Sequence, residues 1–234
     1  TLSQPGTYTL LLEGRHNSGS GSVNYTFNVQ SVADDAFPLT VGTTVMEAID
    51  EAGEQDRYSF TLASAARLHF DSQTDSDAIN WTLTGPAGTV VNQRMIARSD
   101  SFDFGDPVLN LVAGDYMLTM DGFGDATGAY QFRLLDLASA TLITPGTAVS
   151  GTLNPATETD LYRFTAAAGD NLFFDVQTGV GNATWRLVDP FSNLVFSNGF
   201  TTDIDTLTLS QPGTYTLLLE GRHTSGSGSV NYTF

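Results

Sequence analysis

Apolar and polar residues alternate over short stretches along most of the chain, as they do in β-strands that bury one face. The clearest alternation runs through residues 56–62, 79–84 and 116–121. Gly, Pro and Asp residues separate such stretches at intervals of roughly 8–12 residues, a spacing typical of β-sandwiches. The pattern therefore predicts an all-β protein whose domains contain about eight short antiparallel strands each.

The two ends of the chain carry nearly the same sequence. Residues 1–27 recur as residues 208–234, and the only difference is Asn17 in the first copy against Thr224 in the second. Near-identity over 27 residues, with loop positions included, indicates recent duplication of a unit of 207 residues. We therefore expect the chain to be part of a longer array of such units and to begin inside one of them.

An older repeat lies within that unit. Residues 39–91 match residues 143–195 without a gap, and the register shifts further along the chain. The matched positions include large aromatic residues that we expect to fill the domain cores: Tyr58 and Tyr162, Phe60 and Phe164, Phe70 and Phe174, Trp81 and Trp185. The sequence thus predicts the last two strands of a preceding repeat in residues 1–30, a first β-sandwich repeat in 31–136 and a second in 137–234.

The opening segment is expected to form two strands, at residues 8–13 and 22–29, that are separated from the rest of their own domain. A lone two-stranded hairpin is only marginally stable in water. Two alternatives are open. The missing strands lie upstream in the native chain, or residues 1–27 pair with a neighbouring copy by strand complementation.

Composition narrows the class of partner. The 26 acidic residues outnumber the 9 basic ones and give a formal net charge of −17, so we expect no nucleic-acid partner. No apolar run approaches the roughly 18 residues of a membrane-spanning helix, and we expect no membrane insertion. The basic residues are all Arg and Cys is absent, a composition that, with the excess of acids, favours an extracellular or cell-surface location.

Clustered Asp residues are the candidate metal ligands. Asp71, Asp75 and Asp77 lie close together in the sequence, and Asp121 and Asp125 flank a Gly-containing loop. Ca²⁺ binds six to eight oxygen ligands, which Asp-rich loops often supply. Asp and Gly also form ordinary turns, so calcium binding and a purely turn-forming role are both open.

No motif in the sequence predicts catalysis. A Gly-x-Ser-x-Gly nucleophile elbow and a zinc-binding His-Glu-x-x-His pattern are both absent. His16 and His223 occupy the same position in the two copies of the 27-residue segment, and His69 lies on a predicted strand. We interpret these histidines as structural, and we predict a protein that is not an enzyme and that requires no cofactor.

Short motifs spread over both predicted domains carry a family resemblance. In the second domain they are Gly151-Thr152-Leu153-Asn154, Asp160-Leu161-Tyr162-Arg163-Phe164-Thr165, Trp185-Arg186-Leu187-Val188-Asp189-Pro190 and Gly213-Thr214-Tyr215-Thr216-Leu217-Leu218-Leu219-Glu220-Gly221. The first domain repeats them less closely, in Asp56-Arg57-Tyr58-Ser59-Phe60 and Ala113-Gly114-Asp115-Tyr116. These residues resemble the bacterial pre-peptidase C-terminal (PPC) domain family, over nearly the whole chain. The resemblance implies tandem jelly-roll-like β-sandwiches from a secreted or surface protein.

The resemblance also bears on calcium. Some members of the family bind collagen, carbohydrate or Ca²⁺, and calcium-binding members carry an acidic Glu-Pro-Asn-Asp-like segment ahead of the first strand. Here residues 33–38 contain Asp34 and Asp35, whereas residues 137–141 contain no acid. The resemblance therefore implies a family-type calcium site in the first domain only.

Together these features predict a structural or spacer repeat region of a large bacterial extracellular, surface or filament-forming protein. The connections at residues 29–41 and 134–146 are apolar, so we expect them to pack against both neighbouring domains and to stiffen the array. Its partners would be neighbouring repeats of the same or an adjacent chain. The alternative is a carbohydrate- or protein-binding accessory module of a secreted enzyme or adhesin, with a glycan or protein as its ligand.

Overall fold

The computed structural model describes residues 4–17 and 19–234, and the chain divides into two units, Thr1–Ser31 and Val32–Phe234. Residues 1–3 and 18, which belong to the repeated opening segment, lie outside the described residues. The second unit consists almost entirely of β-strands, as the alternation predicts. Among the described residues, no helix has the length and apolar character needed to cross a membrane.

Residues 35–136 form the first β-sandwich. One sheet has the strand order β1-β3-β8-β5-β6 and the other has the order β2-β9-β4-β7. The strands are β1 (Asp35–Pro38), β2 (Thr44–Ile49), β3 (Gln55–Leu62), β4 (Ala66–Ser72), β5 (Ile79–Gly85), β6 (Gly88–Met95), β7 (Leu109–Leu111), β8 (Gly114–Gly122) and β9 (Gly128–Asp136). A single helical turn, α1 (Ser101–Phe104), lies between β6 and β7.

The second β-sandwich repeats this plan. One sheet has the order β10-β12-β17-β14-β15, and the opposite layer consists of two separate pairs, β11-β18 and β13-β16. The strands are β10 (Thr141–Leu142), β11 (Ser150–Leu153), β12 (Thr159–Ala166), β13 (Asn171–Phe174), β14 (Ala183–Val188), β15 (Leu194–Gly199), β16 (Ile204–Thr208), β17 (Gly213–Gly221) and β18 (Val230–Thr233). The tandem antiparallel β-sandwich architecture predicted from the sequence is therefore confirmed.

The apolar connections contribute edge strands to the sandwiches. β1 lies within residues 29–41 and β10 within residues 134–146, and each pairs in parallel with the third strand of its own sandwich, β3 or β12. Phe37, Leu39 and Ile143 pack against the cores from these connections. The extra strand explains why each sandwich has nine strands among the described residues where the sequence predicts about eight.

The aromatic residues that recur in the two domains lie in the two cores, as predicted. Trp81 and Trp185 are fully buried. Phe70 stacks on Trp81 with ring centroids 3.9 Å apart, whereas Phe174 meets Trp185 edge-on at 6.0 Å. Rings of this size bury the largest apolar areas available to a side chain, so they contribute much of the stability of each core.

The opening segment forms no strand in the described residues 4–17 and 19–31, and its large apolar side chains are exposed. The strands predicted at residues 8–13 and 22–29 are therefore not formed. The second copy of the sequence explains the difference, because there β17 and β18 pair with other strands and not with each other. The 27-residue repeated sequence therefore does not form a two-stranded hairpin by itself. Each of its two strands needs to pair with strands of a separate sheet.

Candidate functional site

The two sandwiches meet through the outer face of one sheet from each. We call this contact the joint; it involves β4, β9 and α1 of the first sandwich and β12, β14, β17 and residues 222–223 of the second. β14 is buried at every residue and β17 from Tyr215 onward, whereas the equivalent strands β5 and β8 bury mainly alternate residues. A strand that is buried on both faces has a continuous run of apolar residues in its sequence. In β17 this run is Leu217, Leu218 and Leu219.

An apolar cluster forms part of the joint. Val108 precedes β7, Leu137 follows β9, and both are almost completely buried. They pack with Val188 of β14 and Leu218 of β17, and the half-buried Leu161 lies against them. Because these side chains are removed from water only where the sandwiches meet, their burial stabilises the joint itself.

A buried carboxylate also crosses the joint. The backbone amide of Ser101 in α1 donates to Oε1 of Glu220 at 2.7 Å, and the Ser101 hydroxyl donates to Oε2. Arg186 of β14 donates to the same Oε2 atom, and the two charged side chains are each 1% exposed. Burial lowers the pKa of Arg186, and the charge of Glu220 opposes that effect. Removing either partner would leave an uncompensated charge inside the protein.

Asp100 accepts a second set of hydrogen bonds across the joint. Its Oδ2 atom lies 2.9 Å from the backbone nitrogen of His223, 2.7 Å from Nδ1 of the same residue and 3.2 Å from Nε of Arg222. The Arg222 guanidinium also donates to Asp103 at 3.1 Å. The short turn α1 and the residue before it thus carry Asp100, Ser101 and Asp103 to the second sandwich.

The His223–Asp100 pair has perturbed proton affinities. Burial raises the pKa of Asp100, while the hydrogen bond from His223 lowers it and the nearby charge of Glu220 raises it. The hydrogen bond to Asp100 raises the pKa of His223, against the opposing effect of burial. The other ring nitrogen of His223, Nε2, lies 3.6 Å from Oδ1 of Asp75. The pair therefore binds its proton more firmly than an isolated histidine does.

Arg133 on β9 organises a third polar contact. Its Nε atom lies 2.8 Å from Oδ2 of Asp71, its Nη1 atom lies 3.2 Å from Oε2 of Glu158, and its Nη2 donates to the carbonyl of Thr159 at 2.9 Å. The Thr159 hydroxyl donates to Oδ1 of Asp71 at 2.9 Å. One guanidinium thus neutralises acids from both sandwiches.

The Asp residues predicted as calcium ligands lie at several different places. Asp71 is buried in the joint and pairs with Arg133, as described above. Asp75 is largely exposed and faces His223. Asp77 lies at the surface, with its Oδ1 3.8 Å from Nε of Arg98. Asp71 thus forms an ion pair with a side chain of the protein, Arg133.

The second predicted pair is also dispersed. Oδ2 of Asp121 accepts a hydrogen bond from Gln55 at 3.0 Å, and Asp125 is exposed in the loop after β8. Among the described residues, none of the five predicted ligands belongs to a group of three or more His, Asp or Glu side chains whose ligand atoms lie within 4.8 Å of one another. One such group consists of Asp100, Asp103 and His223 in the joint, where Arg222 donates to both carboxylates.

The other group of this kind lies in the first sandwich, and the sequence pointed to one of its members only, through the acidic segment at residues 33–38. It consists of Asp35, Glu54 and Asp56. Asp56 is 1% exposed; its Oδ2 accepts a hydrogen bond from Tyr130, and its Oδ1 has no hydrogen-bond partner among the described residues. Burial raises the pKa of Asp56, the hydrogen bond from Tyr130 lowers it, and the charges of Glu54 and Asp35 raise it again. These three carboxylates form a candidate cation site.

The sequence indicated only part of this site. Asp35 belongs to the acidic segment at residues 33–38, and Asp56 opens a predicted strand. What brings them together is the parallel pairing of β1 with β3, which places Asp35 directly opposite Asp56. The sequence marks residues 29–41 only as an apolar connection and gives no strand register there, so that pairing could not be predicted.

The equivalent place in the second sandwich has two acids instead of three. Glu158 and Asp160 occupy the positions of Glu54 and Asp56, but Ser139 stands where the first sandwich has Asp35. The guanidinium of Arg133 lies against Glu158, and its charge lowers the pKa of both Glu158 and Asp160, against burial, which is the larger effect and raises both. In the second sandwich the guanidinium of Arg133 thus lies beside the acids at this position, whereas in the first sandwich three acids lie together there.

The fold and the joint define the chain as a tandem β-sandwich protein. No family model and no curated protein matches it. Among solved structures it is similar to the CUB1-EGF-CUB2 domains of rat MASP-1, at 6% identity and a TM-score of 0.30, over 86% of this chain and 98% of that one. It is also similar to the CUB1-EGF-CUB2 domain of human MASP-1/3, at 8% identity and a TM-score of 0.24, over 81% and 98% of the two chains. Similarity this low supports no functional argument, and membership of the PPC family stays a prediction.

Proposed function

We propose that the chain is a structural repeat region of a large bacterial extracellular, surface or filament-forming protein, in which β-sandwiches packed in series act as a stiff spacer. The observation that carries this proposal is the joint, where the β4–β9 face of one sandwich contacts the β12–β14–β17 face of the next. Because the two faces differ, the contact is heterologous and can recur once in each 207-residue unit. The acidic, Cys-free composition and the PPC resemblance support the extracellular setting.

The repeated segment supports the same proposal. It contains the joint residues of the second sandwich, which correspond to residues of the opening segment as follows: Leu218 to Leu11, Glu220 to Glu13, Arg222 to Arg15 and His223 to His16. A sandwich completed by the opening sequence would therefore present the same joint surface to its own neighbour. A serial array built on one type of joint needs this recurrence.

Small-angle X-ray scattering of the full chain tests the stiffness of the joint. We expect the wild-type chain to scatter as one rigid arrangement of the two sandwiches. Val108→Asp places a charge in the apolar cluster and is expected to increase the radius of gyration while the β-sheet circular dichroism remains. Val112→Asp, at a position that is 54% exposed, is the matched control. Free motion of the sandwiches in the wild-type chain would contradict the proposal, and a specific ligand on a glycan array would favour the accessory-module alternative.

We further propose that Asp35, Glu54 and Asp56 hold a Ca²⁺ ion in the first sandwich. The supporting observation is the unpartnered Oδ1 atom of the buried Asp56, which lies in a group of like charges. Carboxylate oxygens are the ligands that Ca²⁺ prefers. Because Asp35 belongs to the connection strand β1 and Asp56 to β3, an ion bound there would tie the connection to the sandwich.

Calorimetric titration and thermal melting with Ca²⁺ or with chelator test the site. A bound ion is expected to raise the stability of the folded state by about 2.7 kcal/mol when the free ion exceeds its dissociation constant a hundredfold. Asp56→Asn should abolish the binding heat, whereas Asp125→Asn, at an exposed position, should leave it unchanged. Equal melting temperatures with calcium and with chelator would contradict the calcium site but not the spacer function.

A further inference from the structure

The two sandwiches differ in the connection that leads from their sixth strand to the next one. In the first sandwich residues 96–108 lie between β6 and β7, whereas in the second only residues 200–203 separate β15 from β16. We call residues 96–108 the docking loop. Four residues of this loop contact the second sandwich in the joint, and they are Asp100, Ser101, Asp103 and Val108.

The core of the first sandwich fixes the base of the docking loop. Ile96 is fully buried in that core, and the indole nitrogen of Trp81 donates to Oγ of Ser99 at 2.7 Å. The Ser99 hydroxyl in turn donates to the carbonyl of Met95 at 2.8 Å. Because Asp100 follows Ser99 directly, these contacts hold the loop where its acidic residues reach the second sandwich.

The shorter connection of the second sandwich packs on its own core. Its first residue, Phe200, is fully buried and meets Trp185 edge-on. The indole nitrogen of Trp185, the counterpart of Trp81, is buried and has no hydrogen-bond partner among the described residues. Asp203, at the end of the connection, accepts the backbone amide of Val176 in the same sandwich. The loop that reaches a neighbouring sandwich is therefore a feature of the first sandwich.

The docking loop is acidic, and the surface that it contacts is basic. Residues 99–108 contain three Asp and no basic residue. Across the joint, Arg222 donates to Asp100 and to Asp103, and the amide of His223 donates to Asp100. Complementary charge of this kind favours the correct partner and penalises a partner that has acids at the same place.

The equivalent face of the first sandwich has different residues at the contact positions. β5 pairs with β8 in the same register as β14 pairs with β17, so each position has a defined counterpart. Four residues of the contact are replaced in the first sandwich as follows: Arg186 by Thr82, Val188 by Thr84, Leu218 by Thr119 and Glu220 by Asp121. The two residues after the strand also differ, with Phe123 and Gly124 in place of Arg222 and His223. On this face the docking loop would meet hydroxyl groups where its contacts need basic and apolar side chains.

We propose that the docking loop selects the partner of its own sandwich. It binds the β14–β17 face of the second sandwich and rejects the equivalent β5–β8 face, which the first sandwich of another unit would offer. The joint then forms once in each 207-residue unit, so an array consists of rigid pairs of sandwiches. The selection rests on the proposed spacer function and adds the rule that sets the order of the sandwiches.

Exchange of residues between the two faces tests the selection in the full chain. The face-exchange variant carries the residues that the first sandwich has at the four contact positions: Arg186→Thr, Val188→Thr, Leu218→Thr and Glu220→Asp. Because the first sandwich folds with these residues on β5 and β8, the second sandwich should keep its β-sheet circular dichroism. The reciprocal variant is the matched control, and it carries Thr82→Arg, Thr84→Val, Thr119→Leu and Asp121→Glu.

Hydrogen exchange of the His223 amide reports on the joint. This amide donates to Asp100 of the docking loop at 2.9 Å, and neither residue is substituted in the two variants. An amide exchanges when its hydrogen bond opens, so we expect about tenfold faster exchange or more in the face-exchange variant. Its radius of gyration in small-angle X-ray scattering should also increase. The reciprocal variant should leave both readouts as in the wild-type chain.

Substitution of Asp103 tests whether the charge of the loop contributes. Asp103→Arg places a cation beside Arg222, and Asp103→Asn only removes the negative charge. Asp103 is exposed, so both variants should fold. We expect about threefold faster exchange of the His223 amide in the Arg variant than in the Asn variant at low salt. About 1 M salt should remove most of this difference, because it screens exposed charges.

Two results would overturn the selection. One is equal His223 exchange and an equal radius of gyration for the face-exchange variant and wild type. The other is equal exchange for Asp103→Arg and Asp103→Asn at low salt, and this comparison alone decides if the face-exchange variant loses its β-sheet circular dichroism. Either result leaves the spacer function intact while the wild-type joint stays closed. Free motion of the sandwiches in the wild-type chain would contradict both proposals.

Discussion

The Nδ1 atom of His223 in the second sandwich lies 2.7 Å from Oδ2 of Asp100 in the first. The same oxygen accepts the backbone amide of His223 at 2.9 Å, so one carboxylate holds both the backbone and the ring of this residue. His223 is 7% exposed. Because the hydrogen bond to Asp100 raises the pKa of His223, the joint favours the protonated ring.

The stability of the chain is therefore expected to depend on pH through His223. The unfolded histidine titrates near pH 6.5, and the folded one titrates at a higher pH because its pKa is raised. The stabilisation is fully present below about pH 6.5 and is lost as the pH rises through the folded pKa. Thermal melting between about pH 6 and pH 9 should show a falling midpoint for wild type, and His223→Gln should remove this component.

The repeated segment supplies the control for that experiment. His16 is the same residue in the same local sequence, but it is exposed. His16→Gln should leave the pH dependence of the melting midpoint unchanged. An equal effect of the two substitutions would show that the His223–Asp100 contact does not control the titration.

Glu220 should be among the residues most sensitive to substitution. Glu220→Gln removes the charge opposite the buried Arg186, and breaking a buried ion pair costs about 3–5 kcal/mol. At about 2–4 °C per kcal/mol for a chain of this size, the melting midpoint should fall by at least 6 °C or so. Replacing both residues by Met should recover part of the loss, because no charge then remains uncompensated.

Glu13 gives the matched control for Glu220. It occupies the equivalent position of the opening segment and is exposed. Glu13→Gln should change the free energy of unfolding by less than about 0.5 kcal/mol, as is usual at the surface. If Glu220→Gln were equally mild, the ion pair across β14 and β17 would not contribute to stability.

A Tyr–Asp hydrogen bond recurs in both cores and supports a third prediction. Tyr232 donates to Asp160 and contacts the hydroxyl of Tyr162, as Tyr130 does with Asp56 and Tyr58 in the first sandwich. Tyr232→Phe leaves the half-buried carboxylate of Asp160 without this donor, which should cost about 1–3 kcal/mol in urea unfolding.

The pH dependence of this cost identifies its cause. Burial raises the pKa of Asp160, and the hydrogen bond from Tyr232 lowers it, so the Phe variant should have a still higher value. The cost of Tyr232→Phe should therefore shrink as the pH falls and Asp160 becomes protonated. Tyr25→Phe, in the exposed copy of the same sequence, should show neither effect.

The strands were predictable from the sequence because their signal is local. The alternation at residues 56–62 predicts β3, which spans Gln55–Leu62, and the matched Trp81 and Trp185 lie in the two cores. The joint was harder to predict because its contacts join distant residues. Ser101 and Glu220 are 119 positions apart, and neither carries a local pattern that points to the other.

One signal for the joint was nevertheless present. Leu217, Leu218 and Leu219 break the alternation that their counterparts around Leu118 preserve, and an unbroken apolar run indicates burial on both faces of a strand. The same run at residues 10–12 lies in a segment that forms no strand among the described residues, where the same side chains are exposed. Identical sequence in two states shows that sheet partners, and not strand propensity alone, decide whether this segment pairs.

Substitution of Arg133 tests whether Ca²⁺ can replace its guanidinium at the joint. Arg133→Met removes the positive charge that Asp71 and Glu158 share, so three buried or half-buried acids, with Asp160, would face one another. The variant should lose about 3 kcal/mol of stability or more in chelator. Because Ca²⁺ binds clustered carboxylates, millimolar calcium should restore part of that loss. Arg57→Met, which removes the partly exposed ion pair with Asp34 and a surface hydrogen bond to Gln55, should cost less than about 1 kcal/mol. A loss in Arg133→Met that calcium leaves unchanged would mean that the guanidinium acts through its hydrogen bond to the Thr159 carbonyl and not through its charge.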